Sequence, residues 1–225
     1  TARGDRLSIL TNGGGAGVLA ADALDALGGR LATLAPETIA ALDTVLPATW
    51  SRANPIDIIG DANGERYGNA LGAVLADPQS DAVLVMNCPT AVADSLDAAQ
   101  AVVEHLKEDG HMPAFTCWLG ETAPDASRKL FAGNRIPTYE TPTEAVRAFM
   151  QLVAYRRNQD LLLEAPAGDA DQPPPNRAAA RSVIARVLAK KRSVLTGPEA
   201  KEVLAAYGIP TAMSRSVADP AGAAS

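Results

Sequence analysis

Aromatic side chains are scarce in this sequence: Phe, Trp and Tyr together make up 4% of 225 residues. That leaves few rings for the stacking platforms on which nucleic-acid bases lie. An excess of positive charge is also missing. Lys and Arg number 20 against 26 Asp and Glu, a net charge of −6, so no electrostatic footprint for nucleic acid is expected. Only two cysteines occur, Cys88 and Cys117. They share no metal-ligand spacing and form no disulfide framework, which points to a reducing, cytoplasmic setting. No apolar run approaches the ~20 residues that a membrane-spanning helix needs, and no secretory leader is read at the start. The chain does not begin with Met, and its last residues, "DPAGAAS", fall within a helical pattern. The expectation is a segment of a longer protein.

Apolar residues are plentiful, at 47% against 20% charged, as in a domain with a real core. Short apolar runs alternate with helical patterns from residue 7 to about 156. Strands are expected at 7–10, 31–34, 81–87, 114–119 and 136–140. Helices are expected at 16–28, 36–46, 65–76, 94–109, 123–132 and 141–157. Gly28 and Gly29 close the first helix, Pro36 opens the second, and Thr141 with Glu144 makes a capping box for the last. The stretch "PATWSRANPIDIIGDANG" reads as loop. This alternation predicts an α/β domain, a flavodoxin-like doubly wound parallel sheet covered on both faces. Ligands in such folds sit at the carboxyl ends of the strands, where "TNGGG", "NCPTA" and "LGETAP" fall. The domain is read as residues 1–157, followed by a Pro- and Gly-rich linker over 158–176. Residues 177–225 hold a basic amphipathic helix (177–192), a helix over 195–208 stopped by Gly208, and a strand beginning at 209–212.

Four glycines, at 13, 14, 15 and 17, lie between the first strand and its helix. Two explanations are open. A tight turn with close helix packing needs residues without side chains. An anion cradle needs bare N–H groups at a helix N-terminus, with Asn12 near the cap. A Walker-type loop is excluded, because "VLAA" at 18–21 lacks the required Lys followed by Ser or Thr. Gly15, Gly17 and Ala20 match the dinucleotide pattern G-x-G-x-x-A, but the acid expected after the second strand is missing. Glu37 lies beyond Pro36, in the first turn of a helix.

Further motifs carry a resemblance. "TNGGGAGVLAADAL", "LATLAPETIAAL", "LPATWSRANPIDIIGDA", "YGNALGAVLADPQSDAVLVM" and "GIPTYETPTEAVRAF" resemble, in order, the nucleoside-diphosphate-forming acyl-CoA synthetases, the superfamily of succinyl-CoA synthetase and ADP-forming acetyl-CoA synthetase. The tail "LTGPEAKEVLAAYGIPTA" resembles the opening of an ATP-grasp domain. The resemblance implies a ligase-CoA-type domain in a protein that interconverts acyl-CoA, phosphate and a nucleoside diphosphate with acid, CoA and the triphosphate. It implies a phosphohistidine intermediate held between two helix N-termini, of which this chain supplies one. Asn12, Gly13, Gly14, Gly15, Ala16 and Gly17 are then the phosphate-binding residues. Asn54, Pro55 and Asp57 belong to a neighbouring loop that either shapes the site or is an ordinary turn.

The phosphorylated histidine is expected outside this chain, because the Ser-His-Thr-Gly context is absent and His105 and His111 suit packing or surface roles. No catalytic residue and no metal ligand is therefore assigned here, and no cofactor is expected on this segment alone. The whole protein implied by the resemblance uses CoA, ATP or ADP, and Mg. Its partners are a preceding CoA-binding and phosphohistidine domain and a following ATP-grasp domain, with homo-oligomer assembly, no nucleic acid and no membrane. Two alternatives stand beside this: a regulatory synthetase-like domain fused to a protein acetyltransferase, and a dinucleotide-binding module. Cys88 reads as a small buried residue, and the basic helix at 177–192 as a solvated or interdomain face.

Overall fold

The computed structural model describes residues 4–108, 112–122, 124–164 and 174–212. It separates into two compact units, residues 1–163 and 164–225. The first unit is built on β1 (Arg6–Thr11), β2 (Arg30–Leu31), β3 (Ile56–Asp57), β4 (Ala82–Asn87), β5 (Ala114–Trp118) and β6 (Thr138–Tyr139). Its helices are α1 (Gly14–Ala26), α2 (Pro36–Val45), α3 (Gly64–Leu75), α4 (Ser95–Glu108), α5 (Asp125–Gly133) and α6 (Pro142–Leu163). All pairings are parallel, in the order β2-β1-β4-β5-β6, with β3 also on β1. Without the two-residue β3, this is the flavodoxin strand order, as the alternating pattern predicts.

β1 and β4 lie at the centre, and every residue from Leu7 to Thr11 and from Ala82 to Asn87 is buried. Strands covered on both faces read as continuous rather than alternating apolar runs. One face packs α1 and α6 around Ile9, Ala20, Leu24, Met86 and Phe149. The other packs α2 to α5 around Leu10, Leu42, Tyr67, Leu71, Val102 and Trp118. Gly64 and Gly68 lie one turn apart on α3 and let α4 approach closely. A Cβ at Gly68 would overlap the His105 ring, and one at Gly64 would reach Asp97. His105 is thus a packing residue, with Nδ1 3.0 Å from the Ala101 carbonyl. His111 lies outside the described residues.

β3 falls in the stretch read as loop. It pairs only with the end of β1, Leu10 with Ile56 and Thr11 with Asp57. β2 occupies the same side of β1 at its start, and the Asn54 side chain bridges the gap between them. Its Nδ2 donates to the carbonyls of Leu7 at 2.8 Å and Ala32 at 3.0 Å, and its Oδ1 accepts from the Ile9 N–H at 3.0 Å. A side-chain amide here does what a strand peptide would. β2 and β6 are shorter than their apolar runs, because each is an edge that pairs over two residues.

The capping box at Thr141 and Glu144 forms in both directions. α6 continues through Leu163, past residue 157, with Arg156–Asp160 and Tyr155–Gln159 pairs one turn apart along it. In the second unit α7 (Arg177–Ala189) and α8 (Gly197–Ala206) pack through Ala180, Val183 and Val187. The Asn176 N–H bonds the Ala206 carbonyl at 2.7 Å. Thr196 and Glu199 form a second capping box, and Arg192 holds the Glu199 carboxyl down at about 2. Residues 209–212 form no strand. The described part of this unit offers no partner strand to pair with them.

Candidate functional site

The glycine loop follows β1 at the carboxyl edge of the sheet. From β1 the chain turns to β2 on one side, while β4 lies on the other, so the crevice between β1 and β4 is the topological switch point where this fold class binds ligands. Asn12 spans that crevice. Its Nδ2 donates to the Cys88 carbonyl at 2.9 Å and its Oδ1 accepts from the Cys88 N–H at 2.7 Å. With both polar atoms engaged, Asn12 braces the end of β1 against the end of β4. Thr11 is the residue the sequence does not flag. Its Oγ1 accepts from the Gly13 N–H at 3.1 Å and faces the Gly13 carbonyl at 3.2 Å.

Gly13 is the N-cap of α1, with φ −135° and no side chain to bond the helix amides. The amides of Ala16 and Gly17 both reach the Gly13 carbonyl, at 3.1 and 3.2 Å. Among the described residues, those of Gly14 and Gly15 have no acceptor. Helix N-termini leave such donors open, aligned with the positive end of the dipole.

Positive φ does not explain these glycines. Among described glycines only Gly28, Gly120 and Gly208 have it. Close packing explains three of the four. A Cβ at Gly13 would overlap the Cys88 thiol. One at Gly14 would sit 2.7 Å from Asp57 Oδ2, and one at Gly17 would be 3.0 Å from Pro55 Cβ and 3.2 Å from Thr11 Cγ2. At Gly15 a Cβ would meet nothing within 4 Å. Neither backbone conformation nor packing requires glycine there, and the position is exposed.

Residues 51–62 form the wall opposite. The Asn54–Pro55 bond is cis, and the Pro55 ring packs on Gly17 while Asn54 serves the sheet. Asp57 stands beside the open amides. Its N–H donates to Ser51 Oγ at 2.9 Å, and its Oδ1 accepts from the Ile59 N–H at 3.0 Å. Ile59 has φ +72°, unusual for a β-branched residue. Thr90, from the loop after β4, donates its hydroxyl to the Gly60 carbonyl at 2.9 Å. Cys88 is half-buried, against Gly13. Burial pushes its thiol up, against a smaller opposing effect of the Thr11 hydroxyl, and the Asp57 charge adds to the rise. Glu37 is exposed in the first turn of α2. Among the described residues, no group of three or more His, Cys, Asp and Glu is arranged to hold a metal, and no helix is long and apolar enough to cross a membrane.

The fold and this crevice define a doubly wound α/β domain whose switch point presents bare amides. The family model for the Ligase-CoA domain matches residues 7–160, and the chain belongs to that family. It is 37% identical over 213 residues to the ADP-forming acetate–CoA ligase I of Archaeoglobus fulgidus, covering 92% of this chain and 28% of that protein. It is 34% identical over 160 residues to the alpha subunit of the ADP-forming acetate–CoA ligase II of Pyrococcus furiosus, covering 69% and 35%. A solved structure described as Ca. Korarchaeum cryptofilum dinucleotide forming acetyl-coenzyme A synthetase 1, in complex with phosphate and ADP, superposes with a TM-score of 0.69. Identity is 34%, over 73% of this chain and 36% of that one. The chain thus spans about a third of the length of these relatives.

Proposed function

We propose that this chain is the cradle-bearing domain of an ADP-forming acyl-CoA synthetase. In that reaction phosphate displaces CoA from the acyl thioester to give an acyl phosphate. A histidine then takes the phosphoryl group and releases the carboxylate, and the phosphohistidine passes the group to ADP. This chain contributes the open amides of Gly14 and Gly15 at the start of α1. Backbone N–H groups stabilise the phosphoryl charge without competing as nucleophiles or proton donors. Gly13, Ala16 and Gly17 shape the turn, Asn12 and Thr11 hold it, and Pro55 and Asp57 wall it in.

The observation that carries this reading is Gly15. A side chain is missing where nothing among the described residues excludes one, beside an amide that has no acceptor among them. The names of the relatives supply the acid–CoA chemistry. The phosphorylated histidine, the CoA site and the ADP site belong to other domains of the whole protein, an ATP-grasp domain among them, and Mg accompanies the nucleotide there. A cytoplasmic, homo-oligomeric enzyme is part of the same proposal. The test is ATP formation from acetyl-CoA, ADP and phosphate by the whole protein, with and without Gly15→Ala. A drop confined to phosphate-dependent turnover supports the cradle, and unchanged turnover removes it from the mechanism.

A further inference from the structure

Donors are not the only open groups in the cradle. Asp57 Oδ1 is tied to the Ile59 N–H, whereas Oδ2, the oxygen turned towards Gly14, accepts no hydrogen bond among the described residues. No Lys or Arg forms an ion pair with Asp57 there either. Gly14 and Gly15 thus offer donors, and beside them Asp57 offers one acceptor. A carboxylate this close to an anion site is a liability unless the ligand brings something for it to bond.

We propose that Asp57 makes the cradle select a protonated phosphate oxyanion and reject a fully ionised tetrahedral anion such as sulfate. The inference rests on the phosphate reading of the cradle and adds a specificity determinant to it. An ionised carboxylate only accepts hydrogen bonds. An oxygen placed against Oδ2 must therefore carry a proton or meet an uncompensated like charge. Inorganic phosphate keeps a proton at neutral pH and can donate it while its other oxygens accept from Gly14 and Gly15. Sulfate has no proton to give. The two anions are nearly the same size and shape, so bare amides alone do not tell them apart.

The carboxylate is also held where this requires it. The Ser51 hydroxyl accepts from the Asp57 N–H and lies 2.7 Å from the Pro55 carbonyl. β3 is paired to β1 at Thr11 and Asp57, and the Ile58 N–H bonds the Thr11 carbonyl at 2.8 Å. Asp57 is therefore anchored to the same strand end that carries the glycine loop. Swinging the carboxylate away would break the Ile59 bond.

The experiment is an amide-resolved NMR titration of the isotopically labelled chain with inorganic phosphate and, separately, with sulfate at constant ionic strength. The Gly14 and Gly15 signals report binding. In the wild type phosphate should bind at least about tenfold more tightly than sulfate, the scale of a hydrogen bond to a charged group. Asp57→Asn keeps Oδ1 for Ile59 but replaces the free acceptor by a donor, so the preference should vanish, with sulfate gaining most. Asp61→Asn removes a carboxylate of the same loop that pairs with Arg66, and should leave the preference intact. Dispersed spectra for both variants show that they fold. If the wild type binds both anions equally, or Asp57→Asn keeps the preference, or Asp61→Asn loses it too, the role of Asp57 is overturned while the cradle stands. If neither anion moves Gly14 or Gly15, the cradle reading fails and this inference fails with it.

Discussion

Replacing Gly15 with Ala separates the two reasons a chain has for placing glycine in a turn. The added Cβ meets nothing within 4 Å, and the residue has no positive φ to lose. Helix propensity then favours the variant. Gly to Ala inside a helix gains about 0.5–1 kcal/mol, which for a domain of this size raises the melting temperature by about 2–4 °C per kcal/mol. Anion binding should move the other way. Cα–Cβ bonds in a helix tilt towards its N-terminus, so the methyl leans into the space in front of the open amides. An anion oxygen must come within about 2.9 Å of an N–H. Losing one such charge-assisted bond costs about 1.5–3 kcal/mol, or roughly a tenfold to hundredfold weaker affinity. Thermal melts by circular dichroism and an amide-resolved phosphate titration of the same samples measure both effects. A variant that is more stable and still binds phosphate as the wild type does would refute the ligand argument. A less stable variant would refute the packing argument.

The sheet and the helix packing give three further expectations. Asn54→Ala leaves the Ile9 N–H and the Ala32 carbonyl without this partner, while the Leu7 carbonyl keeps its bond from the Ala32 N–H at 2.9 Å, and should cost about 2–4 kcal/mol in denaturant unfolding, the scale of two unmet buried groups. Asp81 accepts from the Arg6 backbone at 3.0 Å and from its guanidinium at 2.8 and 2.9 Å, and that hydrogen bonding lowers its pKa. The resulting stability is fully present above the ordinary carboxylate pKa and is lost as pH falls through the lowered one. Asp81→Asn should therefore be less stable at neutral pH but flatter on the acid side of a urea-midpoint profile. Gly68→Ala drives a methyl into the His105 ring and should destabilise by about 1–3 kcal/mol, with His105→Ala in the same chain recovering part of the loss in a double-mutant cycle.

Local chemistry in the sequence determined the alternation of strands and helices, the buried central strands at 7–10 and 81–87, the stop of α1 at Gly28 and the capping box at Thr141, whereas α1 starts at Gly14, two residues before the expected start. These features depend on residues within one or two helical turns of each other. The shared edge of β1 did not announce itself. β3 is two residues long, and its place depends on Asn54 bridging to Leu7, Ile9 and Ala32, partners distant in the chain. The length of α6 was hidden for a different reason. "NQDLLLE" before a Pro-rich stretch has the composition of a linker, yet pairs one turn apart carry the helix to Leu163.

The glycine loop divides in the same way. Four glycines between a strand and a helix announce a turn, and the order of motifs announces the family. Why each glycine is there was decided only by the fold, which brings Cys88 to Gly13, Asp57 to Gly14 and Pro55 to Gly17 and leaves Gly15 open. Parallel strands place the ends of distant segments side by side, and a one-dimensional pattern carries no record of which side chains meet at that edge.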